Sequence, residues 1–380
     1  MINTPGFALP VDIGNRALHH VGADHELVTI ADVSKPARLV RSMYHKLRKA
    51  ELRRNAWTFA IRHSVLRPLD VTSMEWTPPT YSATVTYAVG QVVQYDDGLG
   101  SRLFIAQQSG LLAIAPGTTS AWTGYFGPLI APLHDADATY YAGDIVYTTP
   151  NDGTYAVYLS LTQSNPDEPE TTVAWDALIT YMQGAIISVG ATNYISLVDG
   201  NLNFAPATSP TQWAVSVLTG SYQWVLVGTV VKPVRIMYPL SAGPSSQSQT
   251  LNAYPVPYGY LRKLKPDPTA GAMSVLGAPS NSRMSDWVVE NGYIVTRDTG
   301  PIVLRFVADA SDVTAMDAMF CEGLAAKIGF ELAEPLTQST EKLKTISGVY
   351  QKAITEARLT NSIENGADAP ELDDYLACRV

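Results

Sequence analysis

Tyr87-Ala88-Val89-Gly90-Gln91-Val92-Val93 returns as Tyr140-Tyr141-Ala142-Gly143-Asp144-Ile145-Val146, and again as Tyr181-Met182-Gln183-Gly184-Ala185-Ile186-Ile187. Self-similarity of this kind is the sequence signature of a repeat architecture. The same landmarks follow each copy. An aromatic strand comes first (Phe104; Tyr155 with Tyr158; Tyr194), then a proline (Pro116, Pro169, Pro206), then a tryptophan (Trp122, Trp175, Trp213). Between the first two copies the Tyr, Gly, Val, Pro and Trp positions all move by 53 residues, and the third copy is shorter. Alternating runs such as Val92-Val93-Gln94-Tyr95 and Ile145-Val146-Tyr147, with turns at Asp97-Gly98 and Asn151-Asp152-Gly153, predict a small antiparallel sheet of about three strands per copy. A unit of that size buries little apolar surface. The tyrosine and tryptophan of each copy are therefore expected to close it.

Working outward, the repeats sit in a block of unusual composition. From Trp76 to Gly228 there is one basic residue, Arg102, against eleven acids, whereas the flanks carry 25 bases and 24 acids. Five of the seven tryptophans also fall inside the block. It reads as an inserted unit, a poor ligand for nucleic acid or an anionic membrane. The whole chain has 380 residues, 46% of them hydrophobic, enough to bury a sizeable core. No run approaches the roughly 18 apolar residues of a bilayer span. Met1 to Pro10 lacks the basic and apolar regions of a secretory leader, so membrane insertion and secretion are not expected. Two cysteines, Cys321 and Cys378, provide neither a disulfide framework nor a thiolate-rich zinc site.

The flanks read as helical. Asp12 to Gly22 places Ile13, Ala17, Leu18 and Val21 on one face, with Gly22 as the stop. Ser34 as N-cap and Pro36 near N1 open a second helix to about Asn55, with an apolar face of Leu39, Val40, Met43, Tyr44, Leu47 and Leu52. Trp57 to Leu66 looks extended, with partners distant in sequence. Downstream, Trp287–Val289, Tyr293–Val295 and Ile302–Val307 predict a short β-meander with Asn291-Gly292 as a hairpin turn. A helix follows from Asp312 to Glu334, stopped by Pro335, with Cys321 as a small core residue. Another runs from Ser339 to about Ile363 with Leu343, Ile346, Tyr350, Ile354 and Ala357 in line, halted at Asn365-Gly366. The last stretch, Ala367 to Val380, reads as an acidic extended arm. The expected class is α+β: a discontinuous, mainly helical domain with a short β-meander, plus an inserted array of three small β modules. The expected segments are 1–75, three repeats at 76–130, 131–180 and 181–228, a second helical part at 229–366, and the arm at 367–380.

The repeat pattern resembles the small carbohydrate-binding modules of chitinases and cellulases. That resemblance implies glycan stacking on Trp122, Trp175, Trp213, Tyr87 and Tyr140, the alternative being that these rings are mini-core residues. The flanks resemble the tail tubular A, or head-to-tail adaptor, proteins of short-tailed bacteriophages. The matching residues are Ala17-Leu18-x-x-Val21-Gly22, Trp57-x-Phe59-Ala60-x-Arg62, Pro257-x-x-x-Leu261-Arg262, and Phe306-Val307. The longest match is Asp312 to Phe320 with Glu322, Leu324-Ala325-Ala326, Glu331-Leu332-Ala333 and Pro335-Leu336-Thr337. About 150 residues of repeat separate segments that are closer in the family, and Gly259 stands where an acid is common there.

The adaptor resemblance implies a non-enzymatic virion protein of the tail and neck, assembled in the host cytoplasm. It would form a homododecameric ring between portal and tail nozzle, with genome DNA in the channel during ejection. Tail fibres or host surface glycan would be outward partners. Candidate DNA or portal contacts are Lys35, Arg38, Arg41, Lys46, Arg48, Lys49, Arg53 and Arg54 on the basic helix. The competing reading is a solvated face or an intersubunit salt-bridge surface. Asp373, Asp374, Tyr375 and Leu376 are candidates for an arm reaching a neighbour or the portal. The histidines show no metal-ligand spacing, Gly-x-Ser-x-Gly and the phosphate loop are absent, and acid pairs such as Asp96-Asp97 and Asp135/Asp137 read as turns. No cofactor is expected. The alternative function is a carbohydrate-binding or cell-wall-degrading virion protein.

Overall fold

The structure is a computed structural model, and it describes residues 7–23, 26–70, 72–96, 100–148, 156–162, 165, 169, 174–181, 185–190, 192–198, 200–216, 223–233, 251–264 and 287–365. The chain is α+β, with four α-helices and many short antiparallel strands among the described residues. As a whole it is not mainly helical, because strands are spread from Ile61 to Ala308. It divides into two compact units. The first comprises residues 1–62, 261–270 and 305–380, the second 63–260 and 271–304. The expected boundaries at 75/76 and 228/229 fall inside the strands Met74–Thr77 and Trp224–Pro233. The strands Ile61–Leu66, Ile302–Ala308 and Tyr260–Lys263 form one sheet, in that order.

In the first unit, helix α1 spans Pro10–Val21 and buries Ile13, Ala17, Leu18 and Val21 as the periodicity requires. The Asp12 carboxylate accepts the Ala8 and Leu9 N–H groups at 2.8 and 2.7 Å, and Gly22 at φ 73° ends the helix. Helix α2 spans Lys35–Arg54, capped by the Ser34 side chain on the Ala37 N–H. Asp317 caps α3, Ala318–Thr337, by accepting the Met319 and Phe320 N–H groups. A separate 3-10 turn at Val313–Ala315 fills the start of the expected Asp312 helix. Pro335 lies inside α3 instead of stopping it, and the helix ends at Gln338, at φ 51°. Thr337 Oγ1 donates to the Ala333 carbonyl at 2.6 Å in this last turn. Helix α4 spans Thr340–Asn365 and buries Ile346, Tyr350, Ile354 and Ala357.

The core of this unit gathers sequence-distant residues around α3. Trp57 packs edge-on against Phe320 at 4.9 Å, and its indole N–H donates to the Glu51 carbonyl at 3.0 Å. Asn361 of α4 clamps the Trp57 segment. Its side chain accepts the Thr58 N–H and donates to the Ala56 carbonyl, each at 2.9 Å. Trp57 to Leu66 is not extended throughout: Thr58–Ala60 is a 3-10 turn and Ile61–Leu66 a strand. Cys321 is buried in α3, which with Asp317 nearby pushes its thiol up to about 12 and makes it a packing residue.

In the second unit the hairpin Val288–Glu290 to Tyr293–Thr296 turns at Asn291-Gly292 with positive φ at both residues. The expected meander does not continue, however. Tyr293–Thr296 pairs on its other side with Asn252–Pro255, while Ile302–Ala308 belongs to a different sheet.

Candidate interaction surfaces

The repeats build three sheets of one design. The first module is the sheet Val92–Asp96, Ser101–Ala106, Trp122–Gly124. The third is Ile186–Val189, Thr192–Ser196, Trp213–Ser216. In each copy the motif tyrosine is locked in the same way: its hydroxyl accepts a backbone N–H five residues upstream, from Ser82 to Tyr87, Asp135 to Tyr140 and Asp176 to Tyr181, always at 2.7 Å. The motif glycine follows from the backbone, since Gly90 and Gly143 sit at φ 83° and 92°. Gly184 lies outside the described residues.

A tryptophan then packs edge-on against each tyrosine. The pairs are Tyr87–Trp122 at 5.3 Å, Tyr140–Trp224 at 5.2 Å and Tyr181–Trp213 at 5.3 Å, with interplanar angles of 71°, 69° and 69°. The tryptophan of the second module is therefore Trp224, not Trp175. Its third strand is the start of Trp224–Pro233, which pairs with Ala156–Ser160. Trp175 instead leads the third module. It follows the parallel bridge Ala174↔Ser188, as Tyr81 follows Thr80↔Gln94 and His134 follows Leu133↔Tyr147. Tyr81 and His134 both stack on their module's tyrosine, and Trp175 packs against the third cluster. The third module thus lies inside the second, between Asn165 and Gln223.

The signal that finds this arrangement is a second, shorter repeat: Tyr158-x-Ser160-Leu161-x-x-x-Asn165 and Tyr194-x-Ser196-Leu197-x-x-x-Asn201, each followed by Gln-Trp at 223–224 and 212–213. The asparagines do the same work. Asn165 Nδ2 donates to Ser160 Oγ and the Gln223 carbonyl at 3.0 and 3.1 Å, and Asn201 Nδ2 to Ser196 Oγ and the Gln212 carbonyl at 2.9 and 3.2 Å.

The nesting repeats at the next level. Met74–Thr77 precedes the first module and pairs with Ile130–Ala131 after it, then with Trp224–Pro233 after the other two modules. Glu75 and Lys232 face each other in that ladder with an ion pair of 3.1 Å. Both ends of the inserted block therefore meet. The sheets of the first and second modules also share a core, Trp76, Val92, Leu103, Ile145, Tyr147, Val157, Leu159, Val225 and Val227, so they are not separate beads. Arg67 lies over the Tyr140 ring at 4.3 Å and pairs with buried Asp144 at 2.6 Å.

These positions correct the stacking assignment. Tyr87, Tyr140, Trp122 and Trp213 are all 4% exposed or less. They close mini-cores, because a sheet of three short strands has little else to bury. Trp175 is half-buried against Tyr181 and its neighbours. None of the four buried rings offers a face to a sugar.

On α2 the cations divide. Arg48 is 1% exposed and donates to Asp309 at 2.6 Å, so it is a core ion-pair residue and not a contact for DNA or a partner. It lies on the buried stripe with Tyr44 and Leu52, where charge alone had placed it outside. Lys49 reaches the same carboxylate at 3.1 Å, and Arg54 pairs with Glu51 at 2.8 Å. Lys35 donates to the Pro335 carbonyl and Arg41 to that of Ala31. Arg38, Lys46 and Arg53 are exposed on the same helix. Asp373, Asp374, Tyr375 and Leu376, with the rest of the 367–380 arm, lie outside the described residues.

Beside α2, Arg16 grips Glu322 with Nε at 3.0 and 2.9 Å and Nη2 at 2.7 Å, and His20 Nε2 lies 3.2 Å from the same carboxylate. Burial lowers the His20 pKa despite that charge. Burial alone would raise Glu322, but the hydrogen bonds and charge of Arg16 outweigh it and hold the carboxyl below its ordinary value. Among the described residues no group of three or more His, Cys, Asp or Glu is placed to hold a metal, and no helix is long and apolar enough to cross a membrane. No family model matches the chain, and no curated protein matches it.

Proposed function

We propose that the chain is a structural protein of a phage virion, a head-to-tail adaptor subunit that joins portal to tail nozzle as a homo-oligomeric ring. The observation that carries this reading is the meeting of residues on which the adaptor resemblance rests. Trp57 and Phe59 from one flank pack on Phe320 from the other, although some 260 residues lie between them. Ala17 and Glu322 of the same resemblance are held by neighbours outside it, Ala17 against Gly329 and Glu322 by Arg16. A shared helical core explains why motifs at opposite ends of the chain keep a family-like order despite a long insert between them. In this reading the exposed cations Arg38, Lys46 and Arg53 meet an acidic partner surface or pass along DNA phosphates. The acidic repeat block serves as a rigid spacer or a dock for other tail parts.

The experiment is binding to the portal. Full-length protein should bind the portal ring at micromolar concentration, and truncation after Gly366 should weaken attachment while leaving the circular dichroism unchanged. Absence of binding by the full-length chain overturns the reading.

A further inference from the structure

Alternate side chains of a strand point to opposite faces, so each module has a second sheet face behind the one that closes on its tyrosine. Its central row runs across the three strands as Ile145, Leu159 and Val225 in the second module and as Ile186, Ile195 and Ala214 in the third. We propose that this face of the third module is a self-association surface, on which the same face of a second copy of the chain packs. The proposal stands independently of the adaptor reading, because it concerns none of the residues on which that reading rests.

Within one chain, this face is where modules meet. In the second module Ile145, Leu159 and Val225 are all 9% exposed or less, and they share a core with Val92 and Leu103 of the first. The approach is close. A Cβ on Gly90 would lie 2.6 Å from Leu161 Cδ2 and 2.9 Å from Val225 Cγ1, so bare backbone of the first module's turn rests on the second module's sheet. Leu197 occupies the place of Leu161, its N–H donating to the Gln212 carbonyl as that of Leu161 donates to Gln223, each at 2.8 Å. The third module thus keeps the apolar row, but none of its four members is buried. Leu197 is 40% exposed, and Ile186, Ile195 and Ala214 are part-exposed.

Three such faces cannot pair off within one chain. The first two take each other, and the face left over finds its like only on another copy. Composition points the same way. Residues 174–216 contain two acids, Asp176 and Asp199, and no base, so a partner recognised by charge finds little to hold, while a second copy brings little repulsion. Ser188 and Asn193 continue the face where the second module has Tyr147 and Val157, giving the apolar row the polar edge of an interface that meets water in the single chain. Four apolar side chains fall well short of the about 800 Å2 per partner of a stable complex, so the pairing is weak alone and gains when copies are held together.

The test is disulfide trapping in the full-length chain carrying Cys378→Ser, with Cys321 left in place because it is buried. Ile195→Cys and Leu197→Cys are made separately, and Val215→Cys is the control. Val215 pairs with Tyr194 on the opposite face and is 70% exposed, more open to random collision than either. With copper phenanthroline as oxidant, at least one of Ile195→Cys and Leu197→Cys should form covalent dimers about tenfold faster than Val215→Cys. Adding Ala214→Glu to whichever variant traps should slow it about tenfold, since a carboxylate would be buried without a partner, and should leave the near-UV circular dichroism unchanged. Trapping no faster than that of Val215→Cys overturns the proposal. So does trapping that Ala214→Glu leaves undiminished.

Discussion

Arg48 shows how much a single side chain departs from what its charge suggests. It is almost wholly buried, and its guanidinium faces an Asp309 carboxylate that Lys49 also reaches. Removing the carboxylate strands a buried cation, which costs about 3–5 kcal/mol, whereas replacing the cation by an apolar chain of similar length costs far less. Asp309→Ala should therefore lower the urea midpoint more than Arg48→Met does; equal effects would mean that the pair is solvated. His20 gives a pH signature of defined sign. Because burial lowers its pKa in the folded state, the unfolded chain binds the proton more readily. Stability is then complete above the ordinary imidazole range and falls as pH drops through about 6.5, levelling once the folded-state pKa is passed. His20→Gln should flatten the melting temperature between about pH 7 and 5. Glu322, whose pKa is depressed, adds a separate loss at lower pH, as its carboxylate is protonated away from Arg16.

At the scale of elements, the decisive question is which tryptophan closes which sheet. Trp224→Ala should destabilise the second module by about 3–5 kcal/mol, and Trp175→Ala, half-buried at the start of the third, by clearly less. Limited proteolysis near Ala156–Ser160 would report the difference, and the opposite order would contradict the nesting. A graft tests it from the other side. Replacing residues 166–222 with the Leu202–Thr211 segment, which bridges the equivalent gap in the third module, should leave Trp224 shielded and its fluorescence blue-shifted.

What the sequence made legible here depended on periodicity. The helices were readable because caps and stripes are local: Ser34, Gly22 and the Ile346–Ala357 ladder are written within one or two turns. The tyrosine-glycine motif was readable for the same reason. The partner of Tyr140 was not, because the 53-residue spacing leads from Trp122 to Trp175, while the true partner lies beyond an entire inserted module. Pro335 misled in the opposite way. A proline is a poor helix interior residue, but what it forfeits is its own N–H bond to the Glu331 carbonyl, and α3 tolerates that loss with only two residues left to Thr337. The burial of Arg48 depends on a carboxylate far away in the chain, which no local pattern encodes.

At the scale of the whole molecule, the ends of the repeat block are partners in one ladder, Thr77 facing Thr229 and Glu75 facing Lys232. Joining Thr77 to Thr229 through an Asn-Gly turn, with everything between removed, should preserve the far-UV helical signal of the first unit. Loss of that signal would mean that the repeat block is needed for the helices to fold. Charge reversal of Arg38, Lys46 and Arg53 together leaves the buried Arg48–Asp309 pair untouched. It should reduce portal affinity and its dependence on salt, with little change in melting temperature.

The nesting has a temporal consequence on the ribosome. The first module has all its strands by Gly124 and the third by Ser216, but the second must wait for Trp224, long after its own Ile145–Thr148 and Ala156–Ser160 have emerged. Domains fold as the chain is made. The modules therefore mature out of written order, first, third, then second, and the second hairpin spends the interval with one edge open and the Tyr140 ring without its tryptophan. Its completion closes the long-range ladder back to Met74–Thr77 as well, so one late strand sets the final step for the repeat block.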